Sequence, residues 1–386
     1  MASPPSLRSD FVKVLITGAN GFIAKNLRLN LAERRDIEVI CFTRDQSSAQ
    51  LPALLEGVDV IFHLAGINRP IDPADFATGN TGLTETLCEA VAQIVLSGGK
   101  AIPVVYTSSS QAAADNPYGS SKRAAETAVF ALRDAHGVPV HVFRLPNVFG
   151  KWCRPDYNSV VATFCHNITR GLSIRINDPA VPVTLVYVDD VIARFMQIMD
   201  GAELAVDAAG FSVVAPCYTT TVGELAGQIE AFAHSRETLV TEPVGTGLVR
   251  ALYATYVSYF PANAFTYPLQ MNSDARGVFV EFLKTPDAGQ FSYFTAHAGI
   301  TRGGHYHHTK TEKFLVIKGT ACFKFRHMQT GETHELLASG DKAEIVETVP
   351  GWTHDITNIG DDEMVVMLWA NEIFDRARPD TFSCPL

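Results

Sequence analysis

No stretch of about 18 apolar residues occurs in the 386-residue chain, and a helix needs roughly that length to cross a bilayer, so no transmembrane helix is expected. There is no CxxC pair either. Cys41, Cys88, Cys153, Cys165, Cys217, Cys322 and Cys384 are scattered and odd in number, which argues against a disulfide framework or a cysteine zinc site and suits a reducing cytoplasm. Positive charge is in deficit. The net charge of −10 speaks against nucleic acid or an anionic membrane as partner, although an acidic protein can still hold a local basic pocket for phosphates. The opening "MASPPSLRSD" lacks the apolar core of a signal peptide, and residues 1–11 read as a disordered lead-in. Internal repeats and low-complexity tracts are absent. What remains is a folded composition, 47% hydrophobic and 19% charged, on a chain long enough for two or three domains.

Short apolar, β-branched runs at 12–18, 37–43, 58–66, 101–109 and 139–145 read as buried strands. Helical patterns fall between them, from Phe22 to about Arg35 and near 80–96. Such alternation implies a doubly wound parallel sheet with helices on both faces. The pattern weakens after about residue 200, with helices expected over 223–234 and 246–260. From near 270 the chain changes character: "GVFVEFLK", "FSYFTAHA", "KFLVIKG", "ACFKFR", "AEIVETV" and "MVVMLWA" are short apolar runs separated by turn residues, the pattern of an all-β sandwich or barrel. The boundary is placed in "FTYPLQMN", giving an α/β domain over 12–268 and an all-β domain over 269–386.

Gly18-Ala-Asn20-Gly21-Phe22-Ile23-Ala24 follows a strand and opens a helix. Glycines there permit a tight turn and bring backbone N–H groups close to a pyrophosphate on the helix N-terminus. The second strand ends "CFTRD". Arg44 suits a 2′-phosphate and so NADP(H), while Asp45 is the counter-argument and an ordinary loop arginine the plain alternative. In "PYGSSK", Tyr118 and Lys122 lie four residues apart at a helix start, on one face. A lysine ammonium can lower a tyrosine pKa so that it exchanges protons with a substrate oxygen near neutral pH. "TSSS" at 107–110 ends a strand directed at the same crevice, where a serine hydroxyl can polarise a carbonyl.

With "TGANGFIAKN", "VIFHLAG", "YTSSS", "YGSSK", "RLPNVFG" and "LVYVDDV", residues 12 to about 260 resemble the extended short-chain dehydrogenase/reductases, a Rossmann-type family, especially those acting on nucleotide sugars. The resemblance implies Tyr118 as proton donor, Lys122 as its partner and Ser109 or Ser110 as the polarising hydroxyl. It implies a cofactor site that includes Leu64, Ala65, Gly66 and Asn147, and Asn158 as a contact for the nucleotide sugar. The chain departs from the pattern in having Ala24 for the third glycine and a short spacing of eight or nine residues between serine and Tyr118.

In "GGHYHHTKTEKF" the histidines His305 and His307 alternate past Tyr306 to one strand face, and Glu312 can return to the same side. His354, in "VPGWTHDITN", follows a Pro350-Gly351 turn and supplies a fourth ligand. Two or three imidazoles plus a carboxylate, with a position left open, are the composition of a catalytic divalent-metal site. His308 points the other way in a regular strand; it can replace one of these ligands or serve as an acid/base. Residues 304–319 and 350–358 resemble the two motifs of the cupin family, which implies a jelly-roll barrel, although the adjacent proline and glycine and the long gap back to Gly340 make the second motif irregular. "DARGVFVEF" and "TRGGHYH" also resemble deoxysugar epimerases and ketoisomerases, which implies Arg302 as a substrate contact.

The whole chain thus resembles the bifunctional epimerase/reductases of bacterial capsular and O-antigen polysaccharide synthesis. This implies a UDP-linked 2-acetamido-2,6-dideoxy-4-hexulose as substrate and C3 epimerisation in the barrel. NADPH-dependent reduction of the C4 ketone follows, with a talose-configured product. It further implies a divalent metal, zinc, in the barrel, a homodimer and a cytoplasmic enzyme. Rival readings are a 3,4-ketoisomerase barrel, a dTDP sugar, a non-catalytic dimerising barrel and an NADP-sensing regulator with a dead site.

Overall fold

A computed structural model describes residues 11–72 and 74–386; the expected lead-in, apart from Phe11, lies outside the described residues. All five expected N-terminal strands form, slightly shortened. They are β1 (Val12–Thr17), β2 (Ile37–Phe42), β3 (Val60–His63), β4 (Val104–Ser109) and β5 (Val140–Leu145), paired in parallel in the order β2-β1-β3-β4-β5. Between them lie α1 (Phe22–Ala32), α2 (Leu51–Leu54), α3 (Leu83–Leu96), entered through one π-helical turn at Ala77–Gly82, and α4 (Pro117–His136). Strand alternation sends neighbouring side chains to opposite faces. Leu15 and Ile61 join one core cluster with Leu87, Val91 and Val129 of α3 and α4, while Val14, Ile16 and Phe62 join a second with Leu27 of α1. Burial on both faces explains why these strands read as continuous apolar runs.

The order reverses between β1 and β3, the position at which open parallel sheets bind ligands outside their carboxyl ends. The chain continues through β6 (Asn147–Phe149), α5 (Val160–Ile168), β7 (Pro182–Tyr187), α6 (Val188–Met199) and β8 (Tyr218–Thr221), with β6-β7-β8 forming a small sheet. Two further helices, α7 (Val222–Thr238) and α8 (Gly247–Val257), occupy the expected region. Two compact units result: the first runs to Ile229 and includes Ala251–Tyr259, and the second combines Glu230–Arg250 with Phe260–Leu386.

From residue 272 on, the second unit contains strands and no helix among the described residues. One antiparallel sheet holds β9 (Asn272–Asp274), β10 (Gly277–Thr285), β11 (Gly289–Ala296), β13 (Glu312–Lys318), β16 (Ile345–Glu347) and β18 (Met364–Ala370), ordered β16-β13-β18-β11-β10-β9. The other holds β12 (Thr301–Tyr306), β14 (Thr320–His327), β15 (Thr333–Ser339), β17 (Trp352–Asn358) and β19 (Phe382–Ser383), ordered β15-β14-β17-β12-β19. Phe294, Phe314, Val316 and Val366 of the first sheet meet Phe323, Phe325 and Ile356 of the second in one buried core. The architecture is that of a cupin-type barrel.

Candidate active sites

The first site gathers at the carboxyl ends of β1, β3 and β4. Gly18 has φ +65°, and a Cβ there would stand 2.6 Å from Ala65 Cα, so the turn and the Leu64–Ala65 backbone touch in a way only glycine allows. Gly21 donates its N–H to the Gly18 carbonyl at 2.8 Å and caps α1 without any side-chain cap. The first N–H groups of α1, beyond exposed Asn20 and half-buried Phe22 and Ile23, are left for an anion. Arg44 is exposed just beyond β2 and makes no ion pair among the described residues. Asn147 is exposed on β6, its amide donating to the Thr184 carbonyl at 3.2 Å.

Tyr118 and Lys122 sit one turn apart on α4. The helix starts there because Asn116 caps it, accepting from Gly119 N–H at 2.8 Å, and Pro117 occupies its first turn. Lys122 is only 5% exposed and donates to the Thr107 carbonyl at 3.0 Å. Burial lowers its pKa to about 8, with Glu126 acting the other way. Gly66 leaves the room for this ammonium, since a Cβ would stand 3.1 Å from Nζ. Tyr118 is half-buried, and burial raises its pKa, with the neighbouring Ser109 side chain acting the other way. The two serine candidates differ in place: Ser109 ends β4 and is half-buried, whereas Ser110 opens a 3₁₀ turn and is exposed.

Several partners carry no signal in the spacing of the sequence. Ala65 N–H donates to Thr17 Oγ1 at 3.2 Å, and Thr17 Oγ1 meets His63 Nδ1 at 2.7 Å. His63 Nε2 lies 2.8 Å from Thr84 Oγ1, which donates to the Asn80 carbonyl at 2.7 Å. With Thr84's proton committed to that carbonyl, His63 must donate from Nε2 and accept at Nδ1. Burial, followed by the Lys122 charge, holds this imidazole neutral by lowering its pKa to about 3. The Asn80 side chain then bonds Ile67 N–H at 2.8 Å and Ser121 Oγ at 3.0 Å, tying the loop after β3 to α4. Phe76 packs on Tyr118 at 5.6 Å. Beyond it the guanidiniums of Arg69 and Arg154 lie 5.9 and 5.1 Å from the Tyr157 ring centre, and neither has a carboxylate partner among the described residues. Arg154 and Tyr157 stand on a loop with two non-glycine residues in the left-handed region, Trp152 at φ 69° and Asp156 at φ 53°, the kind of local strain that clusters at functional sites. Asn158 follows them and is exposed.

The second site lies within the barrel. One ligand atom from each of His305, His307, Glu312 and His354 can be chosen so that all fall within 4.8 Å of one another. His305 and His354 face each other across β12 and β17, and Glu312 comes from β13 of the opposite sheet. A bulge at Gly303 and Gly304, with φ +98° and +73°, shifts the register that aims His305. Lys310 Nζ holds Glu312 Oε1 at 2.8 Å. Oε2 stands 3.3 Å from His307 Nε2 and 3.5 Å from His354 Nε2. Burial pushes the Glu312 carboxyl up, but His307, His354 and Lys310 outweigh it and leave the pKa well below the usual value. Burial, then His354, lowers His305 to about 4.

Two observations fit a cation here. His307 Nδ1 lies 2.5 Å from the Asp380 carbonyl, to which it can only donate, so a neutral ring turns the lone pair of Nε2 toward an ionised carboxylate. Both nitrogens of His354 are buried without a hydrogen-bond partner. A divalent ion among these atoms would take the Nε2 lone pairs of His307 and His354 and offset the Glu312 charge.

His308 is not brought into this cluster. It is exposed, just past the end of β12, and packs against Phe382 and Tyr306 at ring distances of 4.8 and 5.5 Å. Arg302 lies over the Phe294 ring at 5.2 Å and donates from Nε to the Thr295 carbonyl at 3.0 Å. Its Nη2 is buried without a partner, and the side chain lines a cavity of about 550 Å³ with Asp274, Arg276 and Phe279.

Residues 14–207 match the NAD dependent epimerase/dehydratase family, and residues 272–382 match the polysaccharide biosynthesis C-terminal domain. The chain is 60% identical to a UDP-2-acetamido-2,6-beta-L-arabino-hexul-4-ose reductase of Pseudomonas aeruginosa, over 97% of this chain and 98% of that one. Among solved structures it is similar to the capsular polysaccharide assembling protein CapF from Staphylococcus aureus, with 40% identity, a TM-score of 0.87 and coverage of 97% of this chain and 100% of that one. A UDP-glucose 4-epimerase from Thermotoga maritima, 19% identical with a TM-score of 0.52 over 64% of this chain and 98% of its own, shares the fold alone. The chain belongs to the NAD dependent epimerase/dehydratase family, in the two-domain form that carries the polysaccharide biosynthesis C-terminal domain.

Proposed function

We propose that the chain is a nucleotide-sugar 4-reductase and 3-epimerase acting on a UDP-linked 2-acetamido-2,6-dideoxy-4-hexulose. The observation that carries the reductase reading is the placement of Tyr118 and Lys122 one turn apart on α4, with the buried Lys122 ammonium held on the Thr107 carbonyl at 3.0 Å beside Gly66. In this reading the Gly18–Gly21 turn and the start of α1 would hold NADPH, which when bound would supply a hydride for C4. Ser109 polarises the ketone, Tyr118 gives its proton to the C4 oxygen, and the Lys122 charge eases that release. Arg44 faces the cofactor's 2′-phosphate, while Arg69 and Arg154 supply the positive charge for the sugar's diphosphate.

The barrel reading rests on chemistry as well as the cluster. A C4 ketone makes the C3 proton acidic, so epimerisation must precede reduction. His305, His307, Glu312 and His354 would hold a divalent metal, zinc in this proposal, whose positive charge favours the developing enolate. Arg302 is a contact for the substrate, and the product is the talose-configured sugar used in polysaccharide assembly. The chain works in the cytoplasm as a homodimer.

The test is turnover of a UDP-4-keto-6-deoxy-N-acetylhexosamine with NADPH, with NMR of the product. NADPH oxidation with retained C3 configuration would leave a reductase with a non-catalytic barrel. No oxidation at all would overturn the reading.

A further inference from the structure

The segment at residues 380–385 lies along the metal-ligand strand and bonds both to it and to its neighbours. β19 pairs with β12, Ser383 opposite His305 and Phe382 opposite Tyr306. Cys384 N–H donates to the Gly304 carbonyl at 2.8 Å, and the Cys384 carbonyl accepts from Thr353 Oγ1, next to His354. Arg326 donates to the Pro385 carbonyl at 3.0 Å. One residue of this segment makes five hydrogen bonds. The Asp380 carbonyl takes the His307 Nδ1 proton. Its carboxylate accepts from His308 N–H at 2.9 Å, Thr309 N–H at 2.7 Å, Thr309 Oγ1 at 2.9 Å and Lys310 N–H at 2.8 Å. Those donors form the turn that joins His307 to Glu312.

We propose that Asp380 is a positioning residue of the metal centre, its carbonyl setting the tautomer of His307 and its carboxylate holding the turn that fixes His307 against Glu312. The inference rests on the reading that the cluster binds a divalent metal. Its physical basis is twofold. A ring that donates from Nδ1 presents Nε2 as a lone pair, and a bond to that second nitrogen orients the ring and raises its basicity as a ligand. The turn would otherwise expose three adjacent N–H groups without partners, and a single carboxylate satisfies all three, a strong charge-assisted arrangement. Because docking of residues 380–385 and metal binding share the His307 ring, the factor by which one strengthens the other is returned in equal measure.

The experiment uses the full chain and zinc as probe. Zinc affinity and the rate of zinc transfer to a chromogenic chelator are measured for the parent, Asp380→Ala and Asp380→Asn. Asp380→Ala should weaken binding about 10–100-fold, and Asp380→Asn, which keeps one acceptor oxygen, should fall between. Cobalt in place of zinc should show an altered visible spectrum in Asp380→Ala, because the geometry at His307 changes; a purely structural clamp would leave the spectrum as in the parent. A second measurement does not depend on the variants folding: amide hydrogen exchange of residues 380–385 in the parent should slow on zinc addition. Variant affinities within twofold of the parent, or exchange indifferent to zinc, would overturn the proposal. A parent that binds no zinc would overturn the metal reading itself, and the proposal with it.

Discussion

At the scale of the residue, the reductase centre makes two demands that can be checked separately. Tyr118→Phe keeps the ring against Phe76 but removes the proton donor, and NADPH oxidation should fall about 10²–10⁴-fold with the fold intact by circular dichroism. Ser109→Ala should cost nearly as much, while Ser110→Ala should stay within a few-fold of the parent, since Ser109 ends β4 half-buried and Ser110 is turned out to solvent. Lys122 predicts the pH profile. Its pKa is lowered to about 8, so the ammonium persists below that pH and is lost above it. kcat/KM for reduction should therefore fall above about pH 8, and Lys122→Met should abolish that limb. The same shift acts on stability. The unfolded chain holds the lysine proton up to its ordinary value of 10.5, so the cost of the buried charge, about 3 kcal/mol by the pKa difference, is full below pH 8. It fades as pH rises to 10.5, and denaturant unfolding across pH 7–10 should show the gain when Lys122→Met is the reference.

At the scale of the element, the start of α4 decides whether Tyr118 reaches its place. A Cβ on Gly119 would meet the Gln111 carbonyl oxygen at 2.4 Å and the Ala114 carbonyl oxygen at 2.5 Å, both main chain and unable to swing aside. Gly119→Ala should cost about 1–3 kcal/mol through overpacking and displace the neighbouring Tyr118. A misplacement of about 1 Å can reduce kcat about 10²-fold. Thermal melting and steady-state kinetics on the one variant check both, and a fully active, equally stable Gly119→Ala would refute the argument. The helix was legible in the chain because Asn116, Pro117 and the Tyr118–Lys122 spacing are local signals. Its fit against the 3₁₀ turn at 110–113 was not, because steric room at Gly119 is created by residues five and eight positions upstream.

At the scale of the whole molecule, the order of two reactions is the prediction. With a 4-keto substrate in deuterated water and no NADPH, deuterium should enter C3, and stripping the metal should slow that exchange at least tenfold. NADPH oxidation on a substrate already epimerised should be unaffected by stripping, because the reductase residues named above belong to the first compact unit. Exchange unchanged after metal removal would leave the ion a structural role only.

The parallel sheet, the all-β second domain, the dinucleotide turn and the four metal-cluster residues were all readable in the chain. Each rests on local rules: short apolar runs alternating with helical stretches or with turn residues, glycine where φ must be positive, one helical turn between Tyr118 and Lys122, and alternation past Tyr306. Tertiary structure alone left Ser109 half-buried at the end of β4 with Ser110 exposed, and gave His308 the Phe382 ring to pack on. It also joined Thr17, His63, Thr84 and Asn80 into one buried chain and brought Asp380 to His307 across 73 residues. Those outcomes depend on which backbone groups long-range packing leaves unpaired, and no pattern along the chain encodes that.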